Sequence, residues 1–276
     1  MAKRIASGLV ALALFLAVLY LCPPVCFAAA TALICTVSAY ELTMRNGIVK
    51  SRVLSLAACV LAAVIPFLFF FGADTIDNLP AKIVFIAMFA GVAVMFASWL
   101  ARPEKTRFTA PLALLFAGLV FPMMFSAIVL IRNSKNGEYL LLVPFISAWM
   151  TDTGAYFTGM ACGKTRLCEK ISPKKTVEGA VGGIVSCVLS LLLFGFILER
   201  YIGVSINYPA IAVMALVLSC IAQMGDLSFS LIKREYNIKD YGNILPGHGG
   251  ILDRVDSAMF TVPAAYILIR IIGGIL

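Results

Sequence analysis

The sequence predicts an all-α, polytopic integral membrane protein of about nine transmembrane helices, with a cytoplasmic N-terminus and the C-terminus outside. Three observations carry that expectation. Hydrophobic residues make up 62% of the 276 residues and charged residues 13%, against about 45–50% and about 25% in soluble domains. Apolar runs near the roughly 20 residues needed to cross a bilayer recur along the whole chain. Laid out as nine spans, all but five of the 22 Lys and Arg (Lys82, Arg132, Lys135, Arg200 and Arg270) fall on the N-terminal side of the membrane, as the positive-inside rule requires. Mean hydropathy is +0.99, and no loop is long enough to fold alone.

The spans are expected at residues 5–21, 25–44, 53–72, 80–101, 109–131, 139–161, 180–198, 210–232 and 255–274. Helices are expected because only helices and closed barrels satisfy the backbone in lipid. Lys3-Arg4, an apolar run and Ala28-Ala29-Ala30 imitate a signal peptide. The run from Ile5 to Leu21 is long for one, and apolar sequence resumes after Pro23-Pro24, so a helical hairpin is expected. The eight cysteines sit mostly in apolar runs as small hydrophobes. No CxxC pair with nearby histidine suggests zinc, and Cys22 and Cys26 are close enough in sequence to pair.

Two regions differ in polarity. Residues 1–138 read as membrane helices for packing and a dimer contact. Residues 139–276 read as a catalytic membrane region with cytoplasmic loops, the two forming one integral membrane unit. In the first region Glu41 is the exception, read as an interfacial carboxylate with Arg45 at i, i+4.

In the second region carboxylates enter the spans, where each costs about 2.5–3.5 kcal/mol at mid-membrane. Asp152 lies in SAWMTDTGAYFTG, beside a small or polar stripe of Ser147, Thr151, Gly154 and Thr158. Small residues explain helix packing but not Asp152. Ser219, Gln223, Asp226, Ser230 and Lys233 recur on one helical face, read as the lining of a water-filled groove. Asp253 and Asp256 share a face of the last helix's first turn, where the dipole favours each by about 0.3–1 kcal/mol. Before them, PGHGG (His248, Gly249, Gly250) has glycines that permit positive φ and an anion-binding nest of amides.

The loop CGKTRLCEKISPKKTVEGAVGG joins these parts. Its Gly163-Lys164-Thr165 is not a P-loop, since Thr158 stands where the first glycine belongs and no strand precedes it. Ser172-Pro173 and Glu178 read as a helix start, with Lys174 and Lys175 as phosphate partners. Hard carboxylate oxygens with Lys and Arg suit Mg²⁺ and phosphates. No cysteine nucleophile or Ser/His/Asp set is present. The parts fit phosphoryl or nucleotidyl transfer between a soluble phosphate compound and a membrane-embedded one.

The run from Ser230 to Asp256, SLIKREYNIKDYGNILPGHGGILDRVD, resembles the full signature of the phosphatidate cytidylyltransferase (CDP-diacylglycerol synthase) family. DTGAYFTG, ISPKKTVEG and QMGDLSFS resemble its pattern in the same order. The close match spans residues 147–256, and the N-terminal half is similar only in being apolar helices. Met160-Ala161-Cys162 departs from the basic and aromatic residues expected before Gly163.

The resemblance implies CTP + phosphatidic acid → CDP-diacylglycerol + pyrophosphate, with CTP, phosphatidic acid and membrane lipid as partners, no nucleic acid, and a homodimer. It implies Mg²⁺, as two ions, with a monovalent cation as a further option, held by Asp226 and Asp253 with Asp256 assisting. Lys175 and Lys174 neutralise triphosphate, and Ser172, Thr176 and Glu178 line the substrate side of their loop. Lys233, Arg234 and Arg254 contact phosphate or orient the carboxylates. His248, Gly249 and Gly250 shape the phosphate loop, and Asp152 supports the site or contacts nucleotide. The membrane implied is the bacterial inner membrane, with the active site facing the cytoplasm. An ion-coupled transporter and another lipid or polyprenol nucleotidyl- or phosphotransferase are the alternatives.

Overall fold

The computed structural model describes residues 2–72, 109–244 and 249–272. The expected span at 80–101, the loop basic residues Arg102, Lys105 and Arg107, and His248 lie outside the described residues. The helices and one small hairpin fall into two compact units, residues Met1–Asn133 with Ile238–Val255, and Ser134–Asn237 with Asp256–Leu276.

The first unit begins with α1 (Ala2–Leu21) and α2 (Pro24–Arg45). Pro24 opens α2 at its first turn, where a missing N–H goes unused. The last turn, Glu41–Arg45, is π-helical. Helix α3 (Arg52–Phe71) is capped by Ser51, which accepts from the Leu54 N–H. Helix α4 (Thr109–Arg132) contains a π-helical turn at Phe116–Val120. Gly118 lets α4 approach α3 closely, since a Cβ there would stand 3.0 Å from the Ala58 Cα. Buried hydroxyls bond back along their own helices, Thr31 to the Phe27 carbonyl, Thr43 to Ala39 and Ser126 to Pro122. The Arg132 guanidinium donates to the Leu19 carbonyl at 3.2 Å, satisfying an orphan acceptor at the end of α1.

The second unit starts with the single turn α5 (Gly137–Leu140) and α6 (Leu142–Cys162). The hairpin follows, β1 (Arg166–Cys168) antiparallel to β2 (Ser172–Thr176), with Arg166 opposite Thr176 and Cys168 opposite Ser172. Then come α7 (Val177–Ile202), α8 (Tyr208–Glu235) and, from Asp256, α9 (Leu252–Ile272). Helices α6 and α7 meet through small residues. A Cβ on Gly154 would collide with Ser186, and one on Gly183 would stand 2.7 Å from the Thr151 carbonyl oxygen. Gly225 admits α9, its Cβ position being 2.9 Å from the Phe260 ring.

Among the described residues, six helices are long and apolar enough to cross a membrane: α2, α3, α4, α7, α8 and α9. They fall on six of the nine expected spans. Helix α6 covers the expected 139–161 span but is not among them, and α1 offers only Leu12–Leu21 as a described apolar stretch. On α7 the residues left outward form one apolar stripe, Val177, Val181, Val185, Leu189 and Leu193, as a lipid-facing helix requires.

The loop after α6 corrects the expected helix start. Ser172 and Pro173 lie in β2, and α7 begins at Val177 with Thr176 as its cap, accepting from the Gly179 N–H at 3.1 Å. A residue before proline is pushed toward extended backbone, and proline is tolerated on an edge strand. Cys22 and Cys26 are both free thiols.

Candidate active site

In the first unit the site is built on the segment that enters α9. Gly249 adopts φ +80°, and a Cβ there would stand 3.1 Å from Asp253 Oδ2. Only glycine makes that turn without strain. The turn aims successive amides at carboxylates. Gly250 and Tyr241 donate their N–H groups to Asp253 Oδ2 at 3.0 and 2.8 Å, and Asp253 is buried. Ile251 and Leu252 donate theirs to Glu41 at 3.1 and 2.9 Å. From Gly250 to Leu252 the amides are taken by the chain's own acids, and Pro246, Gly247 and His248 of the expected nest lie outside the described residues.

Glu41 is fully buried, which corrects its reading as an interfacial carboxylate, while Arg45 one turn along still acts on it electrostatically. Its carboxylate fills the space beside Gly242 and Gly250, where a Cβ on either glycine would run into it. Asn46 completes the arrangement by donating to the Glu41 and Tyr241 carbonyls at 2.7 and 3.0 Å.

In the second unit the Lys175 ammonium of β2 pairs with the Asp226 carboxylate of α8, both side chains about a quarter exposed. Strand alternation sends the neighbouring Lys174 to the other face, where it is exposed. Ser230 donates to Asp226 Oδ1 at 3.5 Å. Asp256 is half-buried and accepts from the Ser257 N–H at 2.8 Å. Its carbonyl lies against Gly225, the residue before Asp226. The Lys164 and Thr165 amides donate to the Glu178 carboxylate at 3.1 and 3.2 Å. Amides that a P-loop would give to phosphate are thus used to fasten the loop to the first turn of α7. Arg234 donates to the Ile171 carbonyl at the hairpin turn, at 3.3 Å.

The polar stripe on α8 is corrected at Ser219. Ser219 is buried and bonded to Thr151 at 2.9 Å, and Gln223 donates to the Ala180 carbonyl at 3.3 Å. Ser219 joins helices rather than lining a groove, whereas Gln223 both bonds to α7 and lines an open, mostly apolar pocket with Ile184, Met224 and Leu227. In the lower half Asp226 stays partly exposed and paired with Lys175. Ser147 and Thr151 face the packed side of α6, whereas Asp152 is exposed on α6. Lys233 is half-buried and Arg254 exposed.

Among the described residues no three His, Cys, Asp or Glu side chains converge as a cation site. The donor chemistry still suits Mg²⁺, which binds one or two carboxylates and completes its shell with water and substrate phosphates. A cationic group already stands on Asp226.

The chain is 38% identical over 203 residues to the phosphatidate cytidylyltransferase of Bacillus subtilis, covering 73% of this chain and 72% of that protein. It is 42% identical over 138 residues to the enzyme of that name from Staphylococcus epidermidis, 50% of this chain and 52% of the relative. For the Thermotoga maritima protein of the same name the figures are 34% over 158 residues, 57% and 58%. The match to the family pattern runs from residue 2 to residue 272. The chain therefore belongs to the cytidylyltransferase family.

Proposed function

We propose that the protein is a CTP:phosphatidate cytidylyltransferase of a bacterial inner membrane, working at the cytoplasmic face as a homodimer. The observation that carries this reading is the Lys175–Asp226 pair, a candidate phosphate-binding cation joined to a hard oxygen donor on a membrane helix, in a chain of this family. An oxygen of the phosphatidic acid monoester attacks the α-phosphorus of CTP. The new P–O–P bond forms as the bond to the β-phosphate breaks, and pyrophosphate leaves. The attacking oxygen is ionised at neutral pH, so no protein base is needed. Catalysis then rests on positioning and charge neutralisation.

Lys175 moves from Asp226 toward the triphosphate, with Lys174 assisting from the other face of β2. Asp226, Asp253 and Asp256 are the proposed Mg²⁺ ligands, and the bound metal would supply neutralisation of charge at the reacting phosphates. Lys233 and Arg254 attract the two polyanions, and the hairpin held by Glu178 presents Lys175. The test is transfer of label from CTP into lipid-extractable product by purified protein with Mg²⁺ and phosphatidic acid, with pyrophosphate release measured in parallel. CMP transfer that is lost in Asp226→Asn and Asp253→Asn supports the reading. Full turnover in both folded variants, or no transfer by the unmodified protein, overturns it.

A further inference from the structure

We infer that Glu41 is a positioning residue for the reaction: from the second helix of the chain it holds the N-terminus of α9 and so fixes where Asp253 stands. The inference rests on the transferase reading only in the role given to Asp253. The contacts form a closed ring within the first unit. Glu41 takes the Ile251 and Leu252 amides, the first turn of α9 carries Asp253, Asp253 takes the Tyr241 amide, and Asn46 ties the Tyr241 carbonyl back to the Glu41 carbonyl.

Glu41 is completely buried, and a buried carboxylate is costly unless hydrogen-bonded. A neutral Ser, Thr or Asn cap would satisfy the helix amides without that cost. Instead two acids share the amides of Gly250, Ile251 and Leu252, which is hard to account for by packing alone. The glycines support the same conclusion. Gly242 and Gly250 both leave the space that the Glu41 carboxylate fills, so the loop is shaped around this side chain. Groups that orient a metal ligand are worth about 10- to 100-fold in metal affinity or activity.

The experiment compares the full-length protein with Glu41→Gln and Glu41→Asp in detergent, each confirmed monodisperse. Gln keeps the size but places an NH₂ where a second amide needs an acceptor. Asp keeps the charge on a shorter stem, and serves if the Gln variant does not fold. In metal-free protein, amide exchange over residues 238–252 is expected to speed up at Tyr241 and at Gly250 to Leu252. With substrates, the Mg²⁺ concentration for half-maximal activity is expected to rise about 10- to 100-fold, with KM for CTP at saturating Mg²⁺ unchanged. Unchanged exchange and Mg²⁺ dependence, or a fall in rate at every Mg²⁺ concentration without a shift in half-activation, overturns the inference. Should the unmodified protein fail to transfer CMP, the transferase reading falls, while exchange in the metal-free protein still decides whether Glu41 holds the loop.

Discussion

At Lys175, a strand delivers an ammonium to Asp226 on a membrane helix, and the proposed reaction needs that charge on the triphosphate. Lys175→Ala is expected to lower kcat/KM for CTP about 100-fold, the scale of losing one donor to transition-state charge. Steady-state kinetics at varied CTP and fixed phosphatidic acid measures it. Lys174→Ala, on the opposite face of the strand, is expected to cost far less in the same assay. Thr176 acts differently, as the cap of α7. Thr176→Ala is expected to lose about 1 kcal/mol of stability, seen as a lower Tm in detergent, with Thr176→Ser retaining most of it. The acids at 226, 253 and 256 stand out in the sequence because a carboxylate in an apolar run is costly to insert. Glu41 could not be placed from sequence. Its partners lie 210 and 211 residues away, while Arg45 offers an ordinary partner one turn along.

Among elements, α6 and α7 depend on the absence of side chains between them. Gly154→Val drives new carbons into Ser186 and is expected to destabilise by about 1–3 kcal/mol, the usual range for overpacking. Pairing it with Ser186→Gly is expected to recover part of the loss, because the nearest obstructing atoms are removed; thermal melts of the single and double variants decide. Six helices were readable from hydropathy because length and apolarity alone define a span. The hairpin was not, since Ser-Pro followed by a short polar run resembles a helix start as much as a strand. The α8 stripe misled for a related reason. Periodicity reports which residues share a face, but not whether a neighbour such as Thr151 already bonds to that face.

For the whole molecule, the apolar stripe on α7 and the bias of basic residues bear on placement in the bilayer. The orientation proposed puts the β1–β2 hairpin in the cytoplasm. A cysteine-free protein carrying Lys170→Cys in that hairpin is expected to react with an impermeant maleimide in inside-out vesicles and to be protected in right-side-out ones. The reverse pattern would turn the proposed topology over. The contact between Glu41 and the amides of α9 also sets an order of events in biosynthesis. At about 5–20 residues per second, the 210 residues separating Glu41 from Ile251 take roughly 10–40 s to be made. Throughout that interval the acid has no amides to bind and must stay hydrated near the membrane surface while later helices insert. Its burial against those amides therefore waits for synthesis of the start of α9, and a chain released before that point lacks these two partners for the acid.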